Sequence, residues 1–207
     1  MGTVVLVLTS ALWGALHSLL ASNRVKAAAE RVVGLGVMRW YRLLYNGVAL
    51  VTFLPLVILM ALLPDRVLYT IPAAWLYLTL GLQAIAAGCL LAALLQTNVS
   101  SFLGLNQPFG GDRRSEKLFS GGLYRYVRHP LYTSGLVILW LAPEMTVNRL
   151  VLVASLSLYT IVGALFEERK LERQFGSEYT AYKARTPMFL PRLWPSGRAA
   201  NYSTTKH

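Results

Sequence analysis

The run G-G-L-Y-R-Y-V-R-H-P-L-Y-T-S-G, Gly121 to Gly135, gathers Arg125, Arg128 and His129 with Tyr124, Tyr126 and Tyr132, then enters an apolar stretch. A later apolar stretch ends in F-E-E, with Glu167 and Glu168 side by side. Guanidinium and imidazole groups grip anions through charge-assisted hydrogen bonds, carboxylates take cations and N–H or O–H donors, and phenol rings offer a face to a cation. If the two apolar stretches are antiparallel neighbours, as a short connection favours, the clusters meet at one depth. A carboxylate in or near hydrocarbon is costly and needs a partner. Two readings are open: Arg128 pairs with Glu167 or Glu168 as a plain interfacial cap, or the groups together hold a polar ligand. Pro130 is placed to open a helix, whose N-terminus aids anion binding, and Gly135 lets backbone or a ligand approach closely.

The elements that must position these groups are membrane helices. Of 207 residues, 55% are hydrophobic and 14% charged, against about a quarter charged in a soluble domain. Spans are expected near residues 4–22, 43–63, 73–95, 124–142 and 149–166, each near the roughly 20 residues a crossing needs. The fourth is only twelve residues from Leu131 to Ala142, and it spans if its helix begins near Tyr124 or forms a tight hairpin with the fifth. The net charge is +11, which by itself suits nucleic acid or a membrane. All but Arg66 and Arg149 of the 20 Lys and Arg fall on one side of this topology. That obeys the positive-inside rule, with the N-terminus outside and the C-terminus cytoplasmic in a bacterial inner membrane, and it argues against nucleic acid. The first span lacks a basic n-region and reads as a span rather than a signal peptide.

The expected fold is all-α and polytopic, a single domain over residues 1–195, with a cytoplasmic C-terminal helix and a disordered tail at 196–207. Gln96–Ser120 is the longest connection, with the turn residues Q-P-F-G-G-D-R-R-S. Residues Glu167–Arg185 continue the fifth span as an amphipathic helix, with Leu171, Phe175, Tyr179 and Tyr182 at helical spacing. The following T-P-M-F-L-P-R-L-W-P has three prolines and is no regular helix; it lies on the membrane face or packs over the loops. Cys89 is the lone cysteine, an apolar filler, and no metal motif is present. G-L-G-V-M-R at Gly34 lacks the third glycine and preceding strand of a dinucleotide loop and reads as a turn.

The order Y-R-x-x-R-H-P-x-Y-x-x-G, a span, E-E, F-G-x-x-Y-x-x-Y and R-x-P resembles the isoprenylcysteine carboxyl methyltransferase-like family of integral membrane methyltransferases. Phospholipid methyltransferases share the R-x-P-x-Y and E-E parts. The resemblance covers residues 122–191, a third of the chain. It implies an enzyme using S-adenosylmethionine at the cytoplasmic membrane face, acting on a lipophilic or small amphiphilic acceptor that arrives among the membrane lipids. Cofactor contacts then fall to Tyr124, Arg128, His129, Pro130, Tyr132, Gly135, Glu167 and Glu168, with Arg125 and Arg185 orienting the acceptor. The basic residue those enzymes carry before the glutamates is replaced here by T-I-V-G-A-L-F, so lipophilic thiols and amines are open as acceptors. Gly81 and Gly104 stand near a glycine motif of phospholipid methyltransferases, and packing between helices is their expected role.

In the N-terminal half, A-L-H-S-L-L-A-S-N-R-V-K and R-W-Y-R-L-L-Y-N resemble NnrU-type membrane proteins. Some relatives of those use histidine for haem, which makes a haem-binding or regulatory protein the alternative. His17 is expected to bond a neighbouring helix, through Tyr45 or Asn46. Membrane sterol reductases share an R-H-x-x-Y and F-G-x-x-Y pattern, so an NADPH-dependent reductase is the third possibility.

Overall fold

The computed structural model of the chain describes residues 1–97, 99, 105 and 118–191. The turn-rich run after Gln107, Gly104, the residues after Pro191 and the tail at 196–207 lie outside the described residues. The protein is a polytopic all-α membrane protein. Helices α1 (Gly2–Ala21), α3 (Tyr41–Leu62), α4 (Ala73–Gln96) and α6 (Val147–Phe175) are each long and apolar enough to cross a bilayer. Between α1 and α3 runs α2 (Asn23–Met38), where a loop is expected from the sequence; Ser22 caps it by accepting from the Val25 amide. Gly34, with φ of 76°, breaks α2 where a turn is expected.

Helices dominate because lipid offers backbone groups no partner, so each must bond within its own segment. Hydroxyls in the spans follow the same logic: Thr9 donates to the Val5 carbonyl, Thr52 to Val48 and Ser157 to Val153. The helices pack side by side in the order α3, α1, α6, then the short α5 (Pro130–Trp140), then α4. Side-chain bonds tie neighbouring helices, among them Trp13 Nε1 to Ala49 O at 3.2 Å, Gln83 Nε2 to Ile138 O at 2.9 Å, and Trp140 Nε1 to Ser157 Oγ at 3.0 Å. Gly81 does not act as a packing glycine among the described residues, since a Cβ there meets nothing within 4 Å.

The fourth apolar element departs most from expectation. Its helix starts at Pro130, not Tyr124, and residues Gly122–Arg125 form a separate 3-10 turn. Proline excludes the αR region for the residue before it, and His129 accordingly sits at φ −125°, ψ 64°. Eleven residues of α5 rise only about 16 Å. From Val147 to Glu167, α6 descends about 30 Å at 1.5 Å per residue. After a turn at Leu141, the strand residues Glu144–Thr146 recover part of the difference, since extended chain covers about 3.3 Å per residue.

That extended stretch needs hydrogen-bond partners, and a strand supplies them. Strand β2 (Glu144–Thr146) pairs antiparallel with β1 (Val67–Thr70), in the register Val67 with Thr146 and Thr70 with Glu144. The pair is closed by Ile71 N–H donating to Pro143 O and Val147 N–H to Arg66 O. Buried Asn148 completes the knot, its side-chain amide donating to Leu63 O and Pro64 O and its backbone N–H to Asp65 Oδ1.

The charged extension of α6 is also broken rather than continuous. Gly176, at φ 54°, ends α6 and starts α7 (Ser177–Arg185). The positive φ lets the chain fold back, so Tyr179 and Tyr182 are buried against the Arg128 segment instead of extending away.

Candidate active site

Arg128, His129 and Tyr132 on one side and Glu167 and Glu168 on the other meet at the basic end of the molecule, as their spacing suggests. The two glutamates have different surroundings. Glu168 is 3% exposed. Arg128 Nε donates to its Oε1 at 2.6 Å, Arg128 Nη2 lies 2.6 Å from the same oxygen, and Lys183 Nζ is 3.1 Å from Oε2. Glu167 has a side chain 46% exposed, and Tyr132 OH donates to its Oε2 at 2.9 Å. Its Oε1 has no partner among the described residues.

Arg128 is a clasp rather than a free anion grip. Besides Glu168, its Nη1 donates to the carbonyls of Lys183 and Thr186. Of the two readings open for Arg128, the pairing with Glu168 is the one its bonds show. The segment Thr186–Pro191, expected on the membrane face or over the loops, runs as a strap against this cluster. Arg128 N–H donates to Pro187 O and His129 N–H to Met188 O, while Thr133 Oγ1 donates to Phe189 O at 2.9 Å. Tyr182 OH donates to Tyr124 O at 2.6 Å, fixing α7 to the 3-10 turn.

His129 is sandwiched, its ring stacked on Tyr132 at 5.3 Å and 8° and tilted against Phe189 at 5.8 Å. Its side chain is 5% exposed, with Nδ1 3.8 Å from Glu167 Oε2 and Nε2 3.4 Å from Glu168 Oε1, without hydrogen-bond alignment at Nε2. Burial holds the imidazole below its ordinary value, although Glu167 and Glu168 pull the other way and Arg128 reinforces the lowering. His129 is thus neutral at pH 7. The unfolded chain binds a proton more readily, so this contribution to stability is complete above about pH 6.5 and is lost as the pH falls through the folded value. The expected result is a steeper fall in thermal midpoint from pH 7.5 to pH 5 for the wild type than for His129→Asn, read by dye-monitored melting in detergent.

Tyr124 stands beside Glu167; burial first, then that carboxylate's charge, pushes its phenol up to about 12, so it stays a proton donor. Pro130 occupies the first turn of α5, as expected. Gly135, one turn along α5 from Tyr132, and Gly163, one turn along α6 from Glu167, both face open space, with nothing within 4 Å of a Cβ. Arg125 and Arg185 are not brought into the cluster: both are exposed, and Arg185 Nε donates to Ala181 O of its own helix. Lys183 and the strap carbonyls were not readable as site elements. Lys183 lies four residues after Tyr179 on the stripe-bearing helix, which is the one signal the sequence carries for it.

His17 sits apart, in α1. Its Nε2 is hydrogen-bonded to Tyr45 OH, its ring stacks on Trp13 at 5.2 Å, and Tyr159 of α6 packs edge-on at 5.7 Å. The expected link to Tyr45 is present, and Nε2 is engaged within the protein. Among the described residues no group of three metal-ligating side chains occurs.

Comparison with known proteins bears on both halves of the chain. Over 69 residues it is 45% identical to Methanethiol S-methyltransferase 1 of Bradyrhizobium diazoefficiens, covering 33% of this chain and 24% of that protein. Over 101 residues it is 39% identical to Methanethiol S-methyltransferase 2 of the same organism, covering 46% and 38%. The Methanethiol S-methyltransferase of Pseudomonas deceptionensis is 41% identical over 71 residues, covering 34% and 27%. The matched stretches span well under half the length of these curated relatives. No solved structure matches the chain significantly. The family model described as NnrU protein matches residues 5–200. The NnrU likeness, carried at first by the N-terminal motifs, thus extends through the Arg-His and Glu-Glu elements, and the chain belongs to the NnrU protein family.

Proposed function

We propose that this protein is a membrane methyltransferase that uses S-adenosylmethionine to methylate a small lipophilic thiol at the cytoplasmic face of a bacterial inner membrane. The observation that carries the reading is the half-exposed Glu167 carboxylate, held by Tyr132 beside His129 at the membrane edge. The named activity of the relatives supports it, and so does the uncharged stretch T-I-V-G-A-L-F before the glutamates, which offers an anionic acceptor no cation at that place. The distribution of Lys and Arg supports the cytoplasmic placement.

The residues present fit such a donor. A carboxylate oxygen without a partner among the described residues, two protonated phenols and the open space at Gly135 and Gly163 suit a cationic group. S-adenosylmethionine supplies a methyl group on a sulfonium sulfur. Tyr132 and Tyr124 would hold the cationic part beside the charge of the Glu167 carboxylate, and His129 would form the wall. The Arg128–Glu168 clasp, with Pro130 opening α5, keeps the two helix ends in register. Methyl transfer is a displacement governed by alignment, so positioning groups suffice for much of the rate. Arg125 and Arg185, exposed outside the cluster, would meet an acceptor only at the rim.

The test is calorimetry with S-adenosylhomocysteine on the detergent-purified protein, followed by mass-spectrometric detection of methyl transfer to a short alkyl thiol. Saturable binding weakened at least tenfold by Tyr132→Ala is expected. A folded, monodisperse sample that binds nothing overturns the reading.

A further inference from the structure

Methylating a neutral thiol releases a proton, and the cluster holds one group placed to receive it. Glu168 is excluded: both its oxygens are engaged by Arg128 and Lys183, and it is 3% exposed. His129 is excluded by access, since its Nε2 is buried and its side chain is only 5% exposed. Lys183 is a cation committed to Glu168 and Glu172, and Arg128 is a cation turned to Glu168 and the carbonyls of Lys183 and Thr186. Glu167 differs on every count. Its side chain is 46% exposed, Tyr132 binds Oε2, and Oε1 has no partner among the described residues. One helical turn toward the bilayer, Gly163 leaves open space on the same side of α6 as Glu167.

We infer that Glu167 Oε1 is the general base that takes the proton from the acceptor thiol, while Tyr132 OH holds Oε2 and fixes the carboxylate's rotamer. This rests on the methyltransferase reading above and adds a chemical role to it. In the step, the S–H bond breaks and its proton goes to Oε1. The freed sulfur pair forms the new S–CH3 bond, and the methyl–sulfonium bond breaks with its pair returning to the donor sulfur. The donor loses its positive charge, the acceptor becomes a neutral thioether, and Glu167 becomes a neutral acid that later releases the proton to water at its exposed edge. Glu168 belongs to the scaffold and Glu167 to the chemistry.

The test compares wild type, Glu167→Gln and Glu167→Asp with thiols of graded acidity, from alkyl thiols to a nitrothiophenol that is ionised at neutral pH. Calorimetry with S-adenosylhomocysteine runs alongside. That product lacks the sulfonium charge, so Glu167→Gln should bind it within about threefold of wild type. Turnover of alkyl thiols should fall 100-fold or more, in line with the roughly 10²–10⁴-fold worth of a general base. The loss should shrink to a few-fold with the nitrothiophenol, and Glu167→Asp should recover part of the alkyl-thiol rate. An equal loss for all thiols overturns the inference, as does a collapse of S-adenosylhomocysteine binding in Glu167→Gln. A wild type that binds the product but methylates only ionised thiols also overturns it while leaving the methyltransferase reading intact. A wild type that neither binds the product nor methylates any thiol overturns that reading itself.

Discussion

Arg128→Leu is expected to destabilise the protein by about 3–5 kcal/mol, the range found when one partner of a buried ion pair is removed. Both side chains are nearly inaccessible, at 8% and 4% exposed, so the remaining Glu168 carboxylate would be left with Lys183 alone. The carbonyls of Lys183 and Thr186 would lose their donor at the same time. The strap should therefore loosen before the spans do, because sub-global openings draw on the least-supported contacts. Hydrogen exchange provides the readout. The amides of residues 128 and 129, which donate to Pro187 and Met188, should exchange at least about a hundredfold faster. Replacing both partners, as Arg128→Met with Glu168→Met, should recover at least half of the lost midpoint, since a well-packed apolar pair often substitutes for a buried ion pair. Unchanged protection in the single variant would mean that the strap is held by something other than the clasp.

The second large effect is expected at Gly122. Its φ of 53° lies in the left-handed region, and a Cβ there would come within 2.3 Å of Gln96 Oε1. That same oxygen accepts from the Leu123 amide at 3.1 Å, tying the 3-10 turn to the end of α4. Backbone strain of roughly 1–2 kcal/mol for a non-glycine residue adds to a lost hydrogen bond of about 1 kcal/mol. Gly122→Ala should thus cost about 2–3 kcal/mol in a denaturation midpoint series. Adding Gln96→Ala relieves the clash but not the strain, so the double variant should remain at least about 1 kcal/mol below wild type. Because the turn carries Tyr124, weaker binding of S-adenosylhomocysteine should accompany the loss. A Gly122→Ala variant of wild-type stability and affinity would show that the turn does not position the site.

The cluster was legible because Arg128, His129, Glu167 and Glu168 are polar groups in apolar surroundings, and lipid makes such groups conspicuous. Antiparallel connection then brought them together. The division between the two glutamates was not legible, since adjacent residues on a helix point about 100° apart and only the partner's geometry says which one turns inward. The further partners of Arg128 were hidden for a related reason: those at Thr186 and Lys183 are backbone carbonyls, which every residue carries alike. The strap likewise binds through the carbonyls of Pro187, Met188 and Phe189, so side-chain identity announced only that it was not helical. Hydropathy located the fourth apolar element but not its start, where the steric effect of Pro130 on His129 decided the boundary. The β1–β2 pair escaped notice because four-residue and three-residue strands are too short for alternation to register.

The shortness of α5 has a consequence for how the molecule is made. A translocating ribosome presents segments to the bilayer one after another, and an eleven-residue stretch carries too little hydrocarbon-facing length to partition by itself. It can settle only once α4 waits beside it and β1 is available to satisfy the extended residues that follow. The α1–α3 pair and α4 therefore stay apart until the last two elements enter between them as a unit when α6 emerges. The ends of α5 and α6 that meet at the Arg128–Glu168 pair, with α7 and the strap that close on it, are thus the last of the described parts to reach their places.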